Sequence, residues 1–383
     1  MDYDGAPIHV CDDQSDDPMA PELIKERALK FYSQNETKVD LGFFLAGFIF
    51  DVFTLSSVDD TFSIIQQSLY LLILLSLFAS EFLVESKVLR IPASLEKVWE
   101  SRSFITHFLL GSLLSIYSLF FLKSASAFVG ILFVLGLMLV MVLNELKFVQ
   151  SRGVDTKFSL FVLTLLCFMT TLGPVVFGFV GFFPFLCALL LTAGIIAGFW
   201  YLLKKRVSPE ARLEKRILAP AGVVLGSFFV LYTLGWIPPV PLAVEEIGIY
   251  HKIEKSNGNY QLFHERSWWK FWQNADEDFQ SQPNDRIHVF ARIYSPARFS
   301  DQVVLHWQLY TPSQGWMTSD KIPMTISGGR EGGYRGHAFK SNYVEGDWRV
   351  LVETNDGREI GRVKFSVTKV AAVATREFQI DER

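Results

Sequence analysis

Seven apolar runs follow one another along this chain, and no other feature limits the fold as strongly. They cover about Leu41–Ser57, Phe62–Leu83, Phe104–Leu122, Ala127–Leu146, Phe158–Gly178, Phe182–Leu203 and Ile217–Trp236. A bilayer core of about 30 Å is crossed by roughly 20 helical residues, with about 17–25 tolerated. Each run fits that window. A soluble helical protein yields one or two such stretches, not seven in succession. Backbone in lipid must satisfy its own hydrogen bonds, so the runs read as transmembrane helices. Composition agrees: 50% of the residues are hydrophobic and the mean hydropathy is +0.26.

The loops fix an expected orientation. The segment before the first run carries Lys25, Arg27, Lys30 and Lys38, and the second loop carries Lys87, Arg90, Lys97 and Arg102. The fourth loop has Lys147, Arg152 and Lys157, and the sixth has Lys204, Lys205, Arg206, Arg212, Lys215 and Arg216. The intervening loops offer only Lys123. Cytoplasmic loops collect bases, so the rich side is expected inside and an odd number of spans sends the C-terminal part outside. The first twenty residues have six acids and no base, the opposite of a cleavable signal's basic start. Residues 1–40 therefore read as an acidic cytoplasmic tail. It ends in a short amphipathic pattern, Ile24, Ala28, Phe31 and Tyr32, which is either a lead-in to the first span or a helix lying on anionic lipid.

Beyond Trp236 the pattern changes. Pro238, Pro239 and Pro241 give a stiff exit, and short β-type runs follow at Ile247–Glu254, Tyr260–His264, Ile287–Tyr294, Val303–Tyr310, Lys321–Ile326, Trp348–Thr354 and Glu359–Val367. Asn257-Gly258 and Asn355-Asp356-Gly357 mark hairpins. Val363, Phe365 and Val367 alternate with Lys364 and Ser366, and Arg349 lies opposite Trp348 and Val350, as in strands with one wet face. Residues 238–383 thus read as an antiparallel β-sandwich of immunoglobulin-like type, with Trp307 and Trp348 as core candidates. The expected fold is a seven-helix all-α membrane bundle over 41–237 followed by an all-β immunoglobulin-like sandwich domain.

Few residues suggest chemistry. Net charge is −4, which gives no case for nucleic acid. Three cysteines, Cys11, Cys167 and Cys187, make no disulfide framework and leave no thiol beyond the spans. Five histidines lie in the C-terminal part without metal-ligand spacing, and no G-x-S-x-G elbow occurs, so neither a metal nor another cofactor is expected. The run Gly328–Gly336 lacks the ending of a phosphate-binding loop. Its glycines suit a wide turn, and as the lesser alternative Arg330 and Arg335, with Glu331 and Tyr334, form a binding loop. Trp268, Trp269 and Trp272 make an aromatic patch that suits sugar stacking, a partner, core filling or the membrane surface. Among acids in the spans only Asp51 is deep, with Asp59 and Asp60 following it, so these three are a candidate intramembrane polar site. Glu81, His107 and Glu145 fall near the basic end, where their cost is lower.

Two stretches carry a resemblance. One is Trp236-Ile237-Pro238-Pro239-Val240-Pro241-Leu242; the other runs Ile326–Gly336, then Gly346-Asp347-Trp348-Arg349-Val350 and Gly361-Arg362. Together they resemble the bacterial domain-of-unknown-function 2914 family, specifically over about 303–367. The resemblance implies multi-pass bacterial membrane members and assigns no activity, so it carries no catalytic residue across. The expectation is a multi-pass bacterial inner-membrane protein, N-terminus cytoplasmic and C-terminal domain periplasmic. It touches membrane lipids and presents a non-enzymatic sandwich that binds an envelope protein or a glycan. The alternative is a transporter or lipid-handling protein with a site around Asp51.

Overall fold

The computed structural model describes residues 57–146, 153–208, 211–256, 258–266, 269–270, 272–273, 275–328, 333–371 and 376–383. The tail, the first expected span and Asp51 lie outside the described residues. Six apolar helices come first: α1 (Thr61–Glu85), α2 (Arg102–Ser124), α3 (Phe128–Glu145), α4 (Val154–Phe177), α5 (Phe182–Lys204) and α6 (Glu214–Thr233). They coincide with the last six of the seven runs. All but α3 are long and apolar enough to cross a membrane.

The helices bury one side and leave another apolar side open. In α1, Gln67, Leu71, Leu74, Phe78 and Phe82 recur every three or four residues and are buried, while Ile65, Leu69 and Leu72 are exposed. Exposed apolar surface of that extent suits lipid and not water. Phe78, Phe82, Phe158, Phe161 and Phe199 form the centre of the bundle, with ring centroids 5.5–6.3 Å apart. α4 contains Pro174 and ends at Gly178, whose φ of 79° and N–H to the Pro174 carbonyl close the helix.

The two ends of the bundle differ. At one end Arg102 pairs with Glu81 at 3.2 Å, and Arg216 reaches Glu85 at 2.8 Å and Asp155 at 2.7 Å. Nearby, buried His107 meets Asn144 at 3.2 Å. These contacts join α1, α2, α3, α4 and α6. At the other end sits the β region, reached through Trp236–Leu242, with a cis Val240–Pro241 bond.

Among the described residues eleven strands follow: β1 (Ala243–Tyr250), β2 (Lys252–Ser256), β3 (Asn259–His264), β4 (Asp278–Ser281), β5 (Ile287–Tyr294), β6 (Ser300–Thr311), β7 (Gly315–Ser327), β8 (Tyr334–Lys340), β9 (Gly346–Thr354), β10 (Glu359–Lys369) and β11 (Gln379–Glu382). They form a sheet ordered β1-β5-β8, a sheet ordered β4-β10-β9-β6-β7 and a small sheet ordered β11-β3-β2. The first two share one core. Ile247, Ile249, Val289 and Ile293 meet Val303, Leu305, Trp307, Trp348, Val350, Phe365 and Val367 there. Trp307 and Trp348 are both almost wholly buried.

Three expectations for the strands need correction. Ile247–Glu254 is not one strand: β1 ends at Tyr250 and β2 begins at Lys252, in another sheet. The break is His251, drawn inward to stack on Phe279 at 4.1 Å beside Glu265, Asp276 and Asp285. The region is not wholly antiparallel, since β4 runs parallel to β10. β8 also goes unanticipated, because its Tyr-Arg-Gly start continues a glycine-rich turn.

Polar contacts seat the β region on the bundle. Asp59, just before α1, accepts from the Tyr294 hydroxyl at 2.8 Å and the Ala297 N–H at 2.9 Å. Ser126, between α2 and α3, donates to Glu359 at 2.6 Å. Between α4 and α5, the Gly178 carbonyl accepts from Ser300 at 2.9 Å and the Val180 N–H donates to Asp301 at 3.0 Å. Arg358 lies 3.5 Å above the Tyr232 ring near the end of α6. Every loop at this end of the described helices therefore holds the same β region.

Candidate functional site

The residues singled out in the sequence do not converge. Asp60 caps α1, accepting from the Ser63 N–H at 3.0 Å, and Asp59 docks the β region. Burial raises the Asp59 carboxyl, but hydrogen bonds from Ala297, Tyr294 and Ser57 outweigh this and hold it below its ordinary range. Neither residue lines an opening into the bundle; each already has a structural duty. Arg330 and Glu331 lie outside the described residues. Tyr334 is half-buried against the shared core, and Arg335 is half-buried opposite Arg292 in the β5–β8 pair.

Of the aromatic patch, Trp268 lies outside the described residues. Trp269 and Trp272 are exposed, 50% and 61%, with centroids 5.7 Å apart, so neither fills a core. They flank Ala275, which bridges to Ile249. Ile249 is six residues along β1 from Ala243 at the bundle end, a distance of about 20 Å at roughly 3.3 Å per residue. The patch is therefore tied to the part of β1 remote from its start beside the bundle.

The described residues do assemble a different site, on the face of the five-stranded sheet turned away from the core. Strand alternation sends Val303, Leu305 and Trp307 inward and His306, Gln308 and Tyr310 outward on β6. Antiparallel register sets Gln308 opposite Arg349 on β9, and Tyr310 opposite Trp316 on β7. A register shift between Trp307 and Gln308 places Thr318 beside this row.

The side chains form one network. Glu353 accepts from His306 Nδ1 at 3.0 Å, which assigns the proton to that nitrogen. His306 Nε2 then accepts from Thr318 Oγ1 at 2.7 Å. Gln308 Nε2 lies 3.2 Å from the same nitrogen, and Gln308 Oε1 accepts from Arg349 Nε at 2.6 Å. The Arg349 guanidinium stacks over Trp316 at 4.3 Å, and Tyr310 packs on Trp316 with centroids 5.3 Å apart.

His306 and Gln308 are only 7% and 8% exposed. Their neighbours on the same face bury them, so the network is held before any ligand arrives. It offers a rigid aromatic surface beside the remaining guanidinium N–H groups of Arg349. Such a combination is chemically suited to a ligand with alternating apolar and hydroxyl surface. The sequence signal was present in part: alternation already turned Arg349 outward, but pairing across three strands was needed to bring Trp316, Thr318 and Glu353 to it. Among the described residues, no group of three or more acidic, histidine or cysteine side chains is arranged to hold a metal.

No curated protein matches the chain. Among solved structures it has a likeness to the Pseudomonas fluorescens alkylpurine DNA glycosylase AlkC bound to DNA containing an abasic site analog. Identity is 10% and the TM-score 0.19, over 82% of this chain and 99% of that one. A superposition that loose carries no argument about fold or activity. A family match covers β6 to most of β10, and so the whole of the outward-facing network. Residues 300–367 match the family described as Protein of unknown function (DUF2914).

Proposed function

We propose that this is a multi-pass inner-membrane protein of a bacterium, its helices anchoring an immunoglobulin-like sandwich in the periplasm. The open sheet face of that sandwich binds an envelope glycan without chemical turnover. The carrying observation is the Tyr310–Trp316–Arg349 platform over the buried His306–Gln308 pair. Flat aromatic faces stack on the apolar face of a pyranose ring, and fixed polar groups beside them take its hydroxyls. The site lies inside the family segment and on the part of the molecule that leaves the bundle.

The periplasmic placement draws support from the bases. Lys87, Arg90, Arg102, Lys157, Lys204, Lys205, Arg206 and Arg216 belong to the end of the bundle opposite the β region. The transport reading loses the two acids nearest Asp51, since Asp59 docks and Asp60 caps.

An array of bacterial envelope oligosaccharides, probed with the full chain in nanodiscs, tests the proposal. A subset of glycans should bind, and Trp316→Ala or Arg349→Ala should weaken that binding at least tenfold. Trp316→Ala should leave the thermal midpoint within a few degrees, whereas Arg349→Ala unpairs the buried Gln308 Oε1 and should lower it further. Binding that survives both changes, or a signal confined to envelope proteins, would overturn the glycan reading.

A further inference from the structure

A cavity of about 410 Å³ opens where α2 meets β1. Its walls are Ser57 and Val58 before α1, Phe120, Lys123 and Ser124 at the end of α2, Pro241, Ala243, Val244 and Glu245, and Tyr294. The lining is mostly apolar, with one ammonium and one carboxylate at the rim. Lys123 stands in the last turn of α2, is exposed, and has no acidic partner among the described residues. A cation there already complements the negative end of the helix. The Glu245 side chain is 37% exposed and pairs with Arg292 through Oε2 at 3.2 Å.

The depth of this cavity is informative. Phe120 is one turn inside Lys123 on a helix of membrane-spanning length, and Phe62 and Phe128 beside it are more than 70% exposed. The cavity thus sits where acyl chains give way to headgroups, with its apolar floor towards the former and its charges towards the latter. Its volume falls within the roughly 300–1,000 Å³ of small-ligand sites.

The geometry points to a phospholipid site for a zwitterionic headgroup bearing a primary amine, the phosphate on Lys123 and the amine on Glu245, with the glycerol end against Phe120 and Val58. A bound lipid would fill the joint between bundle and β region. The inference rests on the helices crossing a bilayer and is independent of the glycan face.

Native mass spectrometry of the detergent-purified full chain, loaded in turn with phosphatidylethanolamine, phosphatidylcholine and phosphatidylglycerol of matched chains, tests it. Phosphatidylethanolamine should be retained one to one, at least fivefold above the other two. Choline lacks the N–H groups that Glu245 requires, and glycerol lacks the positive charge. Lys123→Ala and Glu245→Gln should each lower that retention fivefold or more. Lys123 is exposed, so its loss leaves the fold intact even if Glu245→Gln disturbs the Arg292 pair. Equal retention of the three lipids, or retention unchanged in Lys123→Ala, overturns the site. Displacement by soluble glycerophosphoethanolamine overturns the lipid as occupant in favour of a free headgroup. Failure of the chain to float with vesicles would instead remove the bilayer reading itself.

Discussion

Asp59 shows how one carboxylate changes meaning with its surroundings. As a residue beside a span it suggests a polar path; in the structure it takes two hydrogen bonds from the β region. Asp59→Asn keeps one acceptor but places an amide where Ala297 needs an oxygen. Leaving such a donor without its partner costs about 1–3 kcal/mol. Hydrogen exchange at the Ala297 amide should rise at least tenfold in this variant, and unchanged protection would show that the contact does not hold the joint. Asp276 behaves differently. Burial, with some help from the Glu265 charge and against the Glu265 N–H, pushes its carboxyl up to about 7. Between pH 3.8 and about 7 the unfolded chain has released this proton while the folded one keeps it, so this group makes stability fall as pH rises. His251, held down to about 4 by burial and then by the Arg376 charge, and His288, held at about 4 by burial, act the other way. Their share of stability is lost as pH falls from about 6.5 towards 4. Asp276→Asn removes only the first effect. It should stabilise the fold at pH 8 by roughly 2–4 kcal/mol, seen as a higher thermal midpoint, and change little at pH 4. A midpoint equally raised at both values would mean that the carboxyl is not protonated in the fold. None of this was legible from residue spacing. His251, Glu265, Asp276 and Asp285 lie on four separate segments, and Arg376 joins them only once the C-terminal strand pairs with β3.

The elements were legible where a local rule decides them. The apolar runs became α1 to α6 nearly end for end, because the length of a span and its backbone hydrogen bonding are set by the run alone. Asn355-Asp356-Gly357 joins β9 to β10 as its residues imply, with Gly357 at φ 82° and the Thr354 N–H bonded to the Arg358 carbonyl. Where the deciding partner is distant, sequence reading failed. β4 has four residues and takes its identity from lying parallel to the end of β10. β8 begins in a glycine-rich run and is a strand because β5 pairs with it. Gly178 belongs to both kinds. Its helix-ending role follows from its place after α4, but its second role does not: a Cβ there would meet the Arg298 carbonyl oxygen at 2.9 Å. Gly178→Ala should therefore cost more than the roughly 1 kcal/mol of a left-handed alanine, because β region and helix must also move apart. A loss of about 2 kcal/mol is expected, with faster exchange at the Ser300 amide that bonds the Gly178 carbonyl. Exchange at Ser300 equal to that of the parent would confine the effect to the helix end.

For the molecule as a whole, the ends of the bundle matter more than its number of spans. The expected seven includes a run that lies outside the described residues, so the count rests on sequence for that one helix. The sorting of ends does not depend on it. The start of α1, the α2–α3 and α4–α5 connections and the end of α6 all touch the β region. The opposite end gathers Arg102, Lys204 and Arg216, whose partners Glu81, Glu85, Asp155 and Glu214 temper but do not cancel its charge. On the orientation proposed above, the basic end faces inward, as bases resist transfer across a membrane. That argument survives the addition or loss of the first span, because the basic and β-bearing ends stay opposite in either case. Alkaline phosphatase joined after Arg383 should be active in cells, whereas the same enzyme joined after Arg206 should be inactive. A fluorescent protein at those two positions should give the reverse pattern, as it folds only in the cytosol. The opposite outcome at both junctions would turn the sheet face towards the cytoplasm, out of reach of envelope glycans, and would leave the Lys123 crevice facing the inner leaflet.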